Sequence, residues 1–322
     1  MPIEIGPLSL TSRVVQSPMA DCTDLAFRMV ARRRGLELAF LEMVSAHSLT
    51  HRNAKTLAMM KTAPGDRPLG AQLVGHDPAK MAAAAAIVEE MGFDVLDLNL
   101  GCPAPKVVTT GAGASLLREP ELAERIFKAV RGALRRIPLT VKTRIGFEDA
   151  SGSEAEEIAR RAEACGVAAV TVHGRTRRQR YAGEVHAGAL ARVKRAVRIP
   201  VLANGGVMKG EDARLLAEAT GCDGVVLGRG ALGNPWLYRD CEAALAGLPP
   251  PPPPSLEDRR AALVEHLENE LRFEGERAAL LTMRRVCCWY MAGFPGAAAF
   301  RASVFVCEDP AALRALIDTF GR

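Results

Sequence analysis

The sequence predicts an α/β chain built as a (β/α)8 barrel with a small C-terminal helical domain. Three observations carry that prediction: eight short apolar runs of strand length, Ala/Leu/Glu/Arg-rich helical stretches between them, and six prolines at 249–254 beyond which no strand pattern recurs. The strands are expected at 14–17, 38–41, 69–73, 95–100, 139–142, 169–172, 201–204 and 225–227. Helical segments at 78–91, 121–134, 154–165 and 210–220 fill intervals whose length suits parallel strands joined by crossover helices. Eight such beats in about 250 residues point to a closed barrel. An open doubly wound sheet shares the periodicity and stands as the alternative, although no Gly-x-Gly-x-x-Gly follows the first strand. The barrel is then 1–248 and the prolines at 249–254 are a stiff extended connector. Residues 255–322 form the helical domain, with amphipathic helices at 256–273 and 277–291.

Eight cysteines without a Cys-x-x-Cys pair, and no apolar opening segment, favour a reducing cytoplasmic setting over a disulfide framework. No run is long and apolar enough to span a bilayer, so no membrane association is expected. His47 and His51 stand four apart but lack the glutamate and third ligand of a zinc helix, so no metal is expected there. Nothing implies a stable protein partner, and a monomer is expected. The formal charge of +5 is uneven: residues 255–322 carry nine Arg against ten acids, and the rest of the chain carries 33 Lys and Arg against 27 acids. The excess gathers at Arg175-Thr176-Arg177-Arg178-Gln179-Arg180, just past the sixth strand. There it suits a polyanionic substrate, or equally a solvated loop in an arginine-rich protein.

In a barrel the residues that finish the strands converge on one mouth. The fourth strand stops at Asn99, Gly101, Cys102 and Pro103, which presents the Cys102 thiol on a rigid turn. Taken alone, Cys102 is as readily a buried small hydrophobe. Gln72 and Asn99 offer amide donors and acceptors to a flat heterocycle. The glycines that end the seventh and eighth strands, with His173 and Arg229, suit a phosphate. Lys142 either stabilises charge on a bound ring or pairs internally with Glu42 or Asp97.

Several longer strings then match one family. Asn99-Leu100-Gly101-Cys102-Pro103, Lys106-Val107-Val108, Gly111-Ala112-Gly113, Val141-Lys142-Thr143-Arg144 and Val172-His173-Gly174-Arg175-Thr176-Arg177 with Tyr181 resemble the tRNA-dihydrouridine synthases, closest to their bacterial B-type branch. So do the run from Gly228-Arg229-Gly230 to Asn234-Pro235-Trp236 and, near the end, Trp289-Tyr290 with Gly293-Phe294-Pro295-Gly296. The resemblance implies an FMN-bound barrel with a helical tRNA-binding domain that uses NADPH to reduce the C5=C6 bond of D-loop uridines. Carried over by position, Pro18, Met19, Ala20, Gln72, Lys142, His173, Asn204, Gly205, Gly206, Gly228 and Arg229 would hold FMN. Cys102 would donate the proton, and Asn99, Arg175 and Tyr181 would lie on the uracil side. Arg177 and Arg178 of the basic loop would meet the tRNA. The chain departs from the family at Gly206, where an acidic residue is common, and at Val185-His186-Ala187, Thr109, Thr110 and Arg285-Val286, so the choice of uridine does not transfer. A flavin barrel reductase of a free pyrimidine or enone needs neither the basic loop nor the helical domain. A non-catalytic RNA-binding barrel needs no Cys102.

Overall fold

The computed structural model describes residues 2–321. An opening hairpin, β1 (Ile3–Ile5) and β2 (Leu8–Leu10), precedes eight parallel strands: β3 (Val14–Gln16), β4 (Ala39–Ser45), β5 (Leu69–Val74), β6 (Val95–Leu100), β7 (Leu139–Arg144), β8 (Ala169–His173), β9 (Val201–Asn204) and β10 (Gly224–Leu227). Between them run α1 (Leu25–Arg32), α2 (Ala46–Thr50), α3 (Ala54–Met59), α4 (Pro78–Glu90), α5 (Pro105–Val108), α6 (Pro120–Ala133), α7 (Ser153–Ala164), α8 (Ala187–Ala196) and α9 (Gly210–Thr220), with α10 (Leu237–Leu245) after the last strand. Beyond the prolines come α11 (Leu256–Glu274), α12 (Glu276–Tyr290), α13 (Ala297–Val306) and α14 (Pro310–Thr319).

The sheet is ordered β3-β10-β9-β8-β7-β6-β5-β4. A parallel bridge between Val15 and Leu38, with the Gln16 N–H donating to the Leu38 carbonyl at 3.0 Å, joins its two ends. That contact closes the barrel and removes the open sheet as an alternative. Local chemistry sets both kinds of helix end in α4 and α9. Asp77 accepts from the Ala79 and Lys80 N–H groups ahead of Pro78 in α4, and α9 stops at Gly221 with φ +66°.

Side chains alternate across each strand, so every second residue points into the barrel. At the bottom those residues are apolar: Val15, Phe40, Val95, Ala169, Leu202 and Val226 pack with Ile3, Ile5 and Leu10 of the hairpin, which plugs that end. Phe40 fills the space beside Gly70, where a Cβ would lie 2.3 Å from its ring. Towards the other end the inward residues turn polar, and the register sets Gln72 beside Asp97, Asn99 beside Lys142, and Arg144 and Asn204 on either side of His173. The hairpin is absent from the sequence-based expectation because its strands have three residues each, below the length at which a period of two is convincing. Its signal is there in Ile3 and Ile5, Leu8 and Leu10 around Gly6 at φ +58°.

The helices beyond the prolines share a second apolar cluster that includes Trp236, Leu263, Leu267, Met283, Tyr290 and Phe300. Trp289 lies partly buried against it. This cluster abuts the barrel through an Arg34–Glu265 ion pair at 3.0 Å, and through Arg34 and Arg259, whose guanidinium carbons lie 5.3 and 5.6 Å from the Trp236 ring. Gly233 comes so near the α12 backbone that a Cβ would lie 2.3 Å from the Trp289 carbonyl carbon.

Candidate active site

A hydrogen-bonded series crosses three strands at the polar end of the barrel. Thr140 Oγ1 donates to Asp97 Oδ1 at 2.7 Å, Gln72 Nε2 donates to Asp97 Oδ2 at 2.7 Å, and Asn99 Nδ2 donates to Gln72 Oε1 at 2.8 Å. Asn99 Oδ1 then accepts from the backbone N–H groups of Gly101 and Cys102 at 3.1 and 2.8 Å. The buried carboxylate thus orients the Gln72 amide, and the Asn99 amide holds the turn that carries the thiol. Gly113, at φ +62°, packs on that turn from the other side, where a Cβ would meet the Cys102 carbonyl oxygen at 2.9 Å. Cys102 is partly exposed, as are Cys22, Cys165 and Cys288, whereas Cys222, Cys241, Cys287 and Cys307 are buried. Burial pushes the Asp97 carboxyl up to about 6, against the hydrogen bonds from Gln72 and Thr140.

Lys142 donates to Asn204 Oδ1 at 3.0 Å, and among the described residues it forms no ion pair with Glu42 or Asp97. Burial and then the neighbouring Arg144 push its ammonium down to about 8, with Asp97 opposing. The His173 ring is driven to about 2, by burial first and then by Lys142, Arg144, Arg175 and Arg229, so it is neutral. Arg175 Nη1 lies 3.4 Å from His173 Nε2, and because a guanidinium only donates, that nitrogen accepts and the proton sits on Nδ1. Asn204 Nδ2 is itself held by the Val226 carbonyl at 2.7 Å.

Four cationic or neutral nitrogen side chains, Lys142, His173, Arg175 and Arg229, therefore border one mouth, a donor set suited to an anion. Gly205 and Gly206 at the end of β9 have φ of 126° and 78°, and a Cβ on either would press on His173 or Val185 at 3.0 to 3.2 Å. Only glycine lets the backbone follow that path beside the cations. Gly228 ends β10 next to the Met19 thioether, with Pro18 partly buried and Ala20 exposed in the loop after β3. Tyr181 is exposed, and both Arg144 and Arg229 stack on its ring, with guanidinium carbons at 5.4 and 5.3 Å from the centroid.

The basic loop divides in two. Arg177 is partly buried over the Phe147 ring at 5.0 Å, whereas Arg178 is exposed. Arg144 entered the sequence reading within the string Val141-Lys142-Thr143-Arg144, with no task of its own. It proves to tie the mouth together: Nε donates to the Gly101 carbonyl at 2.7 Å, and Nη1 donates to the Thr176 and Arg180 carbonyls at 3.1 and 2.7 Å. Its place two residues beyond Lys142 on the same strand face was the available signal. A cleft of about 390 Å³ lined in part by His47, His76, Lys80, Lys106 and Val107 opens next to the Cys102 turn and was also missed, since its lining comes from three stretches far apart in the chain, 45–47, 74–81 and 106–112.

Residues 15–320 match the family model described as dihydrouridine synthase. A "probable tRNA-dihydrouridine synthase" of Rickettsia bellii is 37% identical over 99% of this chain and 97% of its own. The "tRNA-dihydrouridine synthase B" of Pseudomonas aeruginosa is 37% identical over 99% and 95%. Among solved structures, histamine dehydrogenase from Rhizobium sp. 4-9 superposes with a TM-score of 0.59 at 13% identity over 83% of this chain and 50% of that one, a likeness of fold.

Proposed function

The chain belongs to the dihydrouridine synthase family, and from that premise we propose that it reduces the C5=C6 bond of D-loop uridines in tRNA in the cytoplasm. FMN is the resident cofactor, NADPH the reductant and Cys102 the proton donor. When bound, FMN supplies the hydride for C6 of the uracil. The rest falls to this chain. The glycines after β9 and β10, with Arg229 and neutral His173, would take the phosphate, while Gln72, Lys142 and Asn204 would hold the ring. Pro18, Met19 and Ala20 would line the same pocket. Asn99, Arg175 and Tyr181 receive the uracil, and the Cys102 thiol gives its proton to C5, so that one hydride and one proton complete the saturated ring.

The observation that carries this reading is the series Thr140, Asp97, Gln72 and Asn99, which ends on the Cys102 N–H. A structural cysteine needs no such mount. The exposed arginines of the basic loop and the helices after the prolines receive the tRNA backbone, and contacts there offset the few kcal/mol needed to unstack a uridine. The protein acts as a monomer. Incubation with unmodified tRNA, FMN and NADPH is expected to add two hydrogens to a uridine, read by nucleoside mass spectrometry. A yellow protein that oxidises NADPH but leaves tRNA unaltered contradicts the assignment.

A further inference from the structure

Where α11 lies along α1, three ionisable side chains converge across the junction between barrel and terminal helices. Asp24 caps α1, with one carboxylate oxygen accepting from the Phe27 N–H at 2.8 Å. His266 and Glu270 stand one turn apart on α11, each 1% exposed, with His266 Nε2 3.8 Å from Glu270 Oε1. One donor atom from each of the three residues lies within 4.8 Å of the other two. Neither ring nitrogen of His266 has a hydrogen-bond partner among the described residues, and neither does Glu270 Oε1. Buried groups of this kind are paired as a rule, since an unpaired one costs about 1–3 kcal/mol.

Among the described residues no cation fills the gap. Among the described residues Asp24 and Glu270 form no ion pair with Arg or Lys. Arg285, which faces the cluster from α12, instead donates to the Asp21 carbonyl and stacks on Trp289 at 5.2 Å. Burial holds His266 down to about 4, leaving its lone pair free at neutral pH. Burial, then Asp24 through its charge and a carboxyl–carboxyl hydrogen bond, holds the Glu270 carboxyl well above the usual carboxylate range, so an ion bound there displaces that proton to solvent.

We propose that Asp24, His266 and Glu270 bind a divalent ion of the Zn²⁺ class, which clamps the terminal helices to the barrel. One imidazole and two carboxylates form a nitrogen/oxygen set that suits zinc, and the oxygen donors are too few for calcium. Bonds of about 2.1 Å set tetrahedral donors about 3.4 Å apart, so the three side chains draw in by about an ångström on binding. The proposal is independent of the redox reading and its test needs no turnover.

Full-length protein is stripped with a chelator and titrated with Zn²⁺ by equilibrium dialysis with elemental analysis. Wild type is expected to bind one equivalent that Glu270→Gln and His266→Asn both lose, and Zn²⁺ is expected to raise the thermal midpoint of wild type alone. Co²⁺ separates this site from the eight free cysteines: nitrogen and oxygen donors give no thiolate charge-transfer band. A wild type that binds no equivalent, an equivalent that survives both substitutions, or a thiolate band overturns the proposal, and the wild-type spectrum decides even if a variant misfolds.

Discussion

Lys142 and Asn99 each make a prediction at the scale of a single side chain. With its ammonium pushed down to about 8, Lys142 is charged below that pH and loses its proton above it. Any step that needs a cation beside the ring therefore slows as pH rises through about 8, and Lys142→Arg moves that limb upward. Initial rates of dihydrouridine formation from about pH 6.5 to about 9.5 test this, and a flat profile counts against the role of Lys142. Asn99→Ala strips the acceptor from the Gly101 and Cys102 N–H groups and a donor from Gln72. The expected cost is about 1–3 kcal/mol in urea unfolding, with activity falling further than stability because the thiol turn loosens.

At the scale of the element, the barrel strands were legible because each is an apolar run that breaks at a polar residue or glycine on the same end, as β6 does at Asn99-Leu100-Gly101. Their inward faces were less so. That Phe40 reaches across to Gly70, or that Gln72 leans on Asp97, depends on the register between strands, and register is not written in either strand alone. Candidate site residues at strand ends were readable by position, whereas Arg144 acts through three carbonyls on other loops, and Asp24 meets His266 only after the chain has folded back. Spacing rules find ligands near one another in sequence, and a set such as Asp24, His266 and Glu270 lies outside their reach. The Phe40–Gly70 contact supplies a test of register. Gly70→Ala is expected to cost about 1–3 kcal/mol through overlap with the ring, and Phe40→Leu in the same chain is expected to recover part of it. Purely additive losses would place the two residues apart.

At the scale of the whole molecule, the charge excess lies on the barrel and a balance of nine Arg against ten acids lies beyond the prolines. On the proposed reading, the long-range pull on RNA therefore comes from the barrel and not from the net charge of the terminal helices. Replacing Arg178 and Arg180 by Ala is expected to weaken tRNA binding and lower the salt slope by about 1–2 without loss of flavin colour, whereas an unchanged slope would move the RNA surface elsewhere. The proposed reaction depends on the thiol at the end of β6, and Cys102→Ala tests it most directly. The variant should still bind FMN and oxidise NADPH, while dihydrouridine in tRNA, measured by mass spectrometry, falls by about 10²-fold or more. Dihydrouridine formed at the wild-type rate would contradict the account.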